Sequence, residues 1–367
     1  MMPPNLPAIA GYFLRLGATG FGGPVLLVER MHRDLVERRG WVSEEEYREG
    51  MALAQLAPGP LAAQLCFYLG YLRGGLWGAA LGGLGFVLPS FVIVVGLGWA
   101  YVRFGGLPWM QAMFYGVGAA VIGLITRSAS RLAGRTLGGD PLLWGIFLIL
   151  GTLTALTARE NVGLILLSGL AVWMVRAPPP WFRRPGIVYE AGSVVVLLQL
   201  LGFFAYAGSF VFGSGLAIVP FLHGGVVLER HWLTERQFLD AVAVALITPG
   251  PIVITTGFIG YLVAGLPGAC VAAGATFLPC FLLTVIPAPH FHRFGKRPWL
   301  AAIVRGITAA ATGAIVGAVI VLARQSLTDK PTVGLAVMAF GLTWSRRRVP
   351  EPMIVIAAAI VGMLIRG

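Results

Sequence analysis

Charge is what this sequence is shortest of: only 11% of its 367 residues are Asp, Glu, Lys or Arg, against about 25% in soluble globular chains. That shortage all but excludes a water-soluble fold. Cysteine is nearly absent as well. Cys66, Cys270 and Cys280 lie inside apolar runs without CxxC spacing or a neighbouring His or acid, and read as small buried residues rather than a redox or metal site. The histidines His223, His231, His290 and His292 stand at loop ends without acidic companions in sequence or helical ligand spacing, so no metal is expected. Phosphate-cradling GxxxxGK[ST] loops, nucleophile elbows and paired carboxylates within apolar runs are all missing. Neither an enzyme nor a cofactor is expected. The first base is Arg15, so the apolar run from Pro7 to Val28 has no charged segment before it and does not read as a cleavable signal peptide.

What the chain does have is apolar residues, 57% by count, with 51 Gly, 24 Pro and a mean hydropathy of +0.83. Membrane helices tolerate Gly and Pro better than soluble ones. The expectation is an all-α polytopic protein whose partner is the lipid bilayer. The excess of 27 Lys and Arg over 15 acids sits in short loops between apolar runs, which fits membrane orientation rather than nucleic acid binding.

The chain matches itself at an offset of 190 to 191 residues. At 191, Phe21-Gly22 falls on Phe212-Gly213, Trp41-Val42-Ser43-Glu44 on Trp232-Leu233-Thr234-Glu235, and Pro58-Gly59-Pro60 on Pro249-Gly250-Pro251. After one lost residue, Leu69 to Leu72 falls on Ile259 to Leu262, Leu88-Pro89 on Leu278-Pro279, and Pro108-Trp109 on Pro298-Trp299. Matches in this order with a single gap indicate a duplication. The expected halves are 1–185 and 186–367, joined by the Pro- and Arg-rich stretch Arg176 to Gly186.

The apolar runs of the first half are 7–28, 50–72, 75–101, 107–125, 141–157 and 161–175; those of the second are 191–222, 241–265, 266–289, 299–323, 332–344 and 353–365. The runs holding Pro58-Gly59-Pro60 and Pro249-Gly250-Pro251 read as broken or re-entrant helices, because each proline removes a donor and clashes with the preceding turn. Five crossings and one re-entrant hairpin per half give about ten transmembrane helices, and the odd number turns the second half upside down. The bases agree with this inversion. The 30–48 loop carries Arg30, Arg33, Arg38, Arg39 and Arg48, but its counterpart only Arg230 and Arg236; the 103–108 loop carries Arg103 and its counterpart Arg293, Lys296 and Arg297. The bias puts the loop around Trp41 on the cytoplasmic side. Inverted repeats of this kind characterise secondary transporters.

Two bases, Arg15 and Arg305, are left inside apolar runs, where an ionisable group is a candidate functional residue, with snorkelling to headgroups as the alternative. The offsets pair Arg15 with Tyr206 and Arg305 with Tyr115, so each half exchanges a cation for a phenol. Phe21-Gly22-Gly23-Pro24 and Phe212-Gly213-Ser214-Gly215 interrupt the first span of each half. A break there aims backbone N–H groups and a positive dipole end inward, an anion-favouring arrangement, unless the glycines serve only close packing. Together with Pro58-Gly59-Pro60 and Pro249-Gly250-Pro251 they form the expected midplane binding site. Thr19, Gln55, Gln64, Ser214, Thr248, Thr255 and Thr256 are the polar groups nearby that could replace an anion's hydration shell. Glu29 is the acid nearest the first break and a candidate for proton coupling. The stretches 29–49 and 229–240 read as solvated amphipathic helices, with Ser43-x-x-Glu46 fitting a capping box.

The sequence resembles the chromate ion transporter family, in its long-chain, two-domain form. The resemblance rests on Phe21-Gly22-Gly23-Pro24, on the stretch Met31 to Trp41, on Ala57-Pro58-Gly59-Pro60-Leu61-Ala62-Ala63-Gln64, and on Thr248-Pro249-Gly250-Pro251 with the following Gly257 to Tyr261. It implies a secondary carrier in the inner membrane that exports chromate, a tetrahedral dianion shaped like sulfate, and so confers resistance. Sulfate or another oxyanion, a passive anion channel, and a homodimer are left open by the sequence.

Overall fold

The computed structural model describes residues 6–20, 23–104, 108–157, 162–176, 195–209, 211, 218–290, 298–344 and 349–366, and among them every regular element is helical. Helix α1 (Leu6–Thr19) stops before Gly20, and the chain re-enters helix at Gly23 as α2 (Gly23–His32), whose Pro24 is tolerated because first-turn N–H groups have no helical partner. Phe21 and Gly22 lie outside the described residues. A π-helical turn, Arg33–Arg38, leads to Ser43. There the capping box forms as the sequence predicts: Ser43 Oγ accepts the Glu46 amide at 3.2 Å and Glu46 accepts the Ser43 amide at 2.8 Å, starting α3 (Glu44–Leu56).

Helix α3 ends at Ala57, which Pro58 forces into extended backbone with ψ 141°. After the Pro58-Gly59-Pro60 tip comes α4 (Leu61–Phe104). Its 44 residues are two arms, because Gly74 and Gly75 leave the helix and Gly75 adopts φ 55°, where a Cβ is strained. The first arm folds back along α3: the Tyr68 hydroxyl reaches Glu49 at 3.3 Å, and Arg73 meets Glu46 at 2.5 Å. Burial pushes the Glu46 carboxyl up, but the Arg73 guanidinium and the Ser43 amide outweigh it and hold the group below the usual glutamate range. Residues 44–73 are thus a helical hairpin with its tip at Pro58-Gly59-Pro60.

The second half repeats this local sequence of events. After α8 (Val195–Gly208) and α9 (Ile218–His223), a π turn at Gly224–Glu229 leads to a Thr234–Gln237 capping box, which starts α10 (Glu235–Ile247). The Pro249-Gly250-Pro251 tip and a 3₁₀ turn, Ile252–Ile254, precede α11 (Thr255–Val285), broken at Ala264 and Gly265, where Gly265 takes φ 61°. The segment 212–217, with Gly213, Ser214 and Gly215, lies outside the described residues, as do most of the expected 176–186 linker and His292.

The remaining helices are α5 (Pro108–Leu137), α6 (Pro141–Thr157), α7 (Val162–Arg176), α12 (Pro298–Ser326), α13 (Lys330–Trp344) and α14 (Glu351–Arg366). Helix α12 packs against α6 and α7, while α5 packs against α13 and α14. The long helices α5 and α12 are therefore held by shorter helices distant in sequence. Small residues allow the close approach: a Cβ on Gly116 would overlap the Ala358 carbonyl, and one on Gly362 the Ala112 carbonyl.

Leu61–Phe104, Trp109–Leu137, Ile252–Val285 and Ala302–Arg324 are long and apolar enough to cross a bilayer. Along the second arm of α4, Leu76, Trp77, Leu84, Leu88, Val92 and Trp99 are exposed. Against water each Å² of such surface would cost about 25 cal/mol, a cost that lipid removes. The protein is a multi-pass membrane protein.

Candidate functional site

The second arm of α4 serves as a ruler for the interior. It starts at Gly75, at the open end of the first hairpin. Fifteen residues on, roughly 22 Å along a helix, Ser90 lies against the tip of the second hairpin, where a Cβ on Gly250 would overlap its Oγ. A further 16 Å or so along, the Tyr101 hydroxyl donates to Asp240 Oδ2 at 2.6 Å, midway along α10. One helix thus runs from the open end of one hairpin past the tip of the other and on along that hairpin's α10.

Each tip docks on the chain just past the end of a helix in the other half. The Gly250 amide donates to the Gly20 carbonyl at 2.9 Å, and the Gly59 amide donates to the Val211 carbonyl at 2.5 Å. The sequence offset of 191 relates the members of these pairs: Gly59 to Gly250 and Gly20 to Val211. Gly250 has φ 105° and Gly59 φ 147°, conformations that L side chains rarely adopt, and a Cβ on Gly59 would lie 2.8 Å from Cys280 Sγ. Cys280 stands at the offset counterpart of Ser90. Helix α2 begins three residues after Gly20, α4 directly after the first tip and α11 after the 3₁₀ turn that follows the second, so a positive helix end follows each of these segments.

The sequence-predicted residues divide into two groups. Gln64, Thr248, Thr255 and Thr256 are buried with Gly59, Pro60, Pro249 and Pro251 around the tips. Gln64 Nε2 donates to the Ala57 and Pro58 carbonyls, both at 3.1 Å, and holds the first tip in shape. Its Oε1 is buried without a hydrogen-bond partner among the described residues, as is Ser90 Oγ. The threonine hydroxyls are spent on their own backbone: Thr248 donates to Val244 at 2.7 Å, Thr255 to Ile252 at 2.7 Å and Thr256 to Val253 at 3.1 Å. In this conformation they offer lone pairs rather than protons, so the backbone amides are the donors suited to an anion.

The second group has its side chains exposed or bonded to other partners. Arg15, Thr19, Gln55, Glu29 and Arg305 are exposed on their helices, and the Thr19 hydroxyl donates to the Arg15 carbonyl at 2.7 Å. Tyr206 is 40% exposed, its ring 5.3 Å from that of Phe221. Tyr115 donates to Asp329 at 2.6 Å under the Arg366 guanidinium, so it belongs to a cluster at the end of α14. Gly23 and Pro24 open α2; Phe21, Gly22, Gly213, Ser214 and Gly215 are outside the described residues.

Three participants were missed from sequence. Arg30 Nη1 donates to the Thr19 carbonyl at 3.3 Å, placing a cation on the negative end of α1 beside the break. Eleven residues separate the two, a spacing with no periodic signature. Ser90 carries no motif, although the offset that pairs it with Cys280 marks the spot. Asp240 is the offset counterpart of Glu49, a correspondence the repeat contained. The expectation that His223 lacks an acidic companion is corrected: the π turn and the capping box fold it onto Glu235 at 2.6 Å, as they fold His32 onto Glu44 at 2.7 Å.

Helices interrupted in the interior, with backbone amides gathered where they meet, define a membrane transport protein. The chain belongs to the chromate transporter family: residues 8–175 and 198–363 match the family described as Chromate transporter. It is 58% identical over 373 residues to a chromate transport protein of Cupriavidus metallidurans, covering 98% of this chain and 93% of that one. A probable chromate transport protein of Synechococcus elongatus is 58% identical over 98% of this chain and 95% of its own length. A chromate transport protein of Pseudomonas aeruginosa is 30% identical over 99% of this chain and 93% of its own. No solved structure matches the chain.

Proposed function

We propose that this chain is a secondary carrier that moves chromate out across the inner membrane and thereby confers chromate resistance. The observation that carries the reading is the crossed pair of tip contacts, Gly250 to Gly20 and Gly59 to Val211. Each contact ties a hairpin of one half to the broken helix of the other. Releasing one pair while the other holds opens the centre to one side only, which is what alternating access requires. The passage of α4 by both hairpins, against Gly250 at Ser90 and Asp240 at Tyr101, supports hairpins that enter from opposite sides and two inverted repeats, 1–185 and 186–367, with about ten transmembrane helices and two re-entrant hairpins.

In this mechanism a dehydrated dianion takes the place of the tip contacts. The amides of Gly59 and Gly250, freed from their carbonyl partners, turn to the anion's oxygens, and the positive ends of α2, α4 and α11 supply field in a water-poor interior. Gln64 keeps the first tip shaped, and Arg30 and Arg15 add positive charge along α1 and α2. Sulfate, with the same shape and charge, competes. The full burial of Gln64, Ser90, Thr255 and Thr256 favours a carrier with an occluded stage over a passive pore.

The test is uptake of labelled chromate into inside-out vesicles bearing the chain, with and without excess sulfate and an imposed proton-motive force. Energised uptake blocked by sulfate is expected. Uptake equal to that of empty vesicles refutes the substrate, and large unsaturable currents refute the carrier.

A further inference from the structure

Asp240 is 2% exposed and forms no ion pair among the described residues, the Arg236 guanidinium one turn earlier on α10 acting on it only through space. Its hydrogen bond comes from a neutral group, the Tyr101 phenol, at 2.6 Å. A carboxylate kept this way carries its charge at high cost and readily accepts a proton. Asp240 is also not sealed off: it lines a cavity of about 430 Å³ with Gln111, Tyr115, Arg236, Thr328 and Arg366, through which water can exchange protons with it.

The charges around it are engaged elsewhere. On α10, Arg236 turns to Gln111 of α5 at 3.3 Å, and Glu235 to His223 of α9 at 2.6 Å. From α5, Tyr115 is committed to Asp329 and to Arg366 of α14. On α4, Arg103 is exposed two residues beyond Tyr101. The titratable group of α11 on this side is Tyr261, whose ring packs against Gly98, where a Cβ would sit 3.0 Å from it. The 3₁₀ turn Ile252–Ile254 brings apolar side chains.

The counterpart position, Glu49, shows why Asp240 is special. Glu49 is half-buried and meets Tyr68 of its own hairpin at 3.3 Å. Tyr101 instead reaches Asp240 from the other half of the chain, so this phenol bridges the two units that must move apart. Asp240 lies seven residues, about 10 Å of helix, before the end of α10 at Ile247, and the Pro249-Gly250-Pro251 tip follows directly.

We propose that Asp240 takes up and releases a proton in each transport cycle, and that the Tyr101 bond passes this state to the Gly250 tip. The inference rests on the carrier reading above. When ionised, Asp240 accepts a charge-assisted bond, roughly twice as strong as a neutral one, and α10 stays latched to α4. A proton from cavity water forms the carboxyl O–H, the bond weakens, and α10 is free to draw Gly250 off Gly20. The proton returns to water when the latch closes. Asp240 acts through the tip and is a positioning residue.

The experiment compares the full-length chain with Asp240→Asn, Asp240→Glu and Tyr101→Phe in proteoliposomes. The pH dependence of labelled chromate flux is read beside the infrared band of the protonated carboxyl. Expected results are a pH-dependent wild type, loss of that dependence and of the band in Asp240→Asn, and a retained response in Asp240→Glu. In Tyr101→Phe the flux midpoint shifts to higher pH, because the ionised form loses its donor. An unchanged pH profile or band in monodisperse Asp240→Asn overturns the proposal, as does an unmoved midpoint in Tyr101→Phe. If the wild type moves no chromate, the carrier reading fails for that substrate. The band then decides the protonation of Asp240 on its own.

Discussion

The backbone amide of Gly250 donates to the carbonyl of Gly20 at 2.9 Å, across 230 positions of sequence. That bond joins a hairpin tip to the end of a helix that has stopped early, so each of two interruptions satisfies a group the other leaves open. The Gly59 amide does the same for Val211. An interior break in a membrane protein is stable only when its backbone is paired in this way, and a break paired across two moving units can also come apart.

Gly250→Ala is expected to cost on the order of 2–3 kcal/mol, from the φ of 105° and the overlap with Ser90 Oγ. Chromate flux should fall about tenfold or more. Adding Ser90→Gly removes the overlap but not the strain, so thermal stability should recover only in part. Full recovery would mean that the backbone conformation carries no cost.

Gln64→Leu leaves the Ala57 and Pro58 carbonyls without the Nε2 donor they now share. A loss of about 1–3 kcal/mol is expected, with transport falling further than stability accounts for. Flux and melting temperature measured on one preparation separate the two effects, and a variant with normal flux would remove Gln64 from the site.

Arg15 is exposed on α1, and Arg15→Ala is expected to lower chromate flux by withdrawing positive charge from the approach to the tips, while the protein remains folded in the membrane. Arg30→Gln withdraws the donor from the Thr19 carbonyl and should cost about 0.3–1 kcal/mol together with a weaker apparent affinity. Substrate saturation curves for both variants check this. A normal curve for Arg15→Ala shows a snorkelling residue.

Glu46 is held below the usual glutamate range by Arg73 and the Ser43 amide despite its burial. A depressed carboxylate stabilises the fold above its unfolded pKa, and that contribution is lost as pH falls through the folded value. Glu46→Gln should therefore flatten the acid side of the stability profile and leave it unchanged under more acidic conditions. The pair is partly exposed, so the expected difference near neutral pH is about 1 kcal/mol or less. Melting temperatures from acid to neutral pH test the sign.

Much of the local structure was legible because local rules dictate it. Pro58 and Pro249 end their helices by steric clash with the residue before them, and Ser43 and Thr234 start the next ones by capping. The turns at Gly75 and Gly265, where only a residue without a Cβ is unstrained, emerged from the structure. The scarcity of charge placed the whole chain in lipid, and the offset of 190 to 191 residues identified corresponding positions before any contact was known.

The sequence by itself therefore determined the class of protein and the two Pro-Gly-Pro interruptions. Hydropathy, proline sterics and glycine freedom act within a few residues and leave their pattern in the chain. Only the tertiary structure decided that Gly250 meets Gly20 rather than a partner in its own half, that Arg30 and not a periodic neighbour covers the end of α1, and that Tyr101 finds Asp240. Those contacts depend on how packed helices cross, a geometry set by the summed fit of many side chains and written in no single spacing.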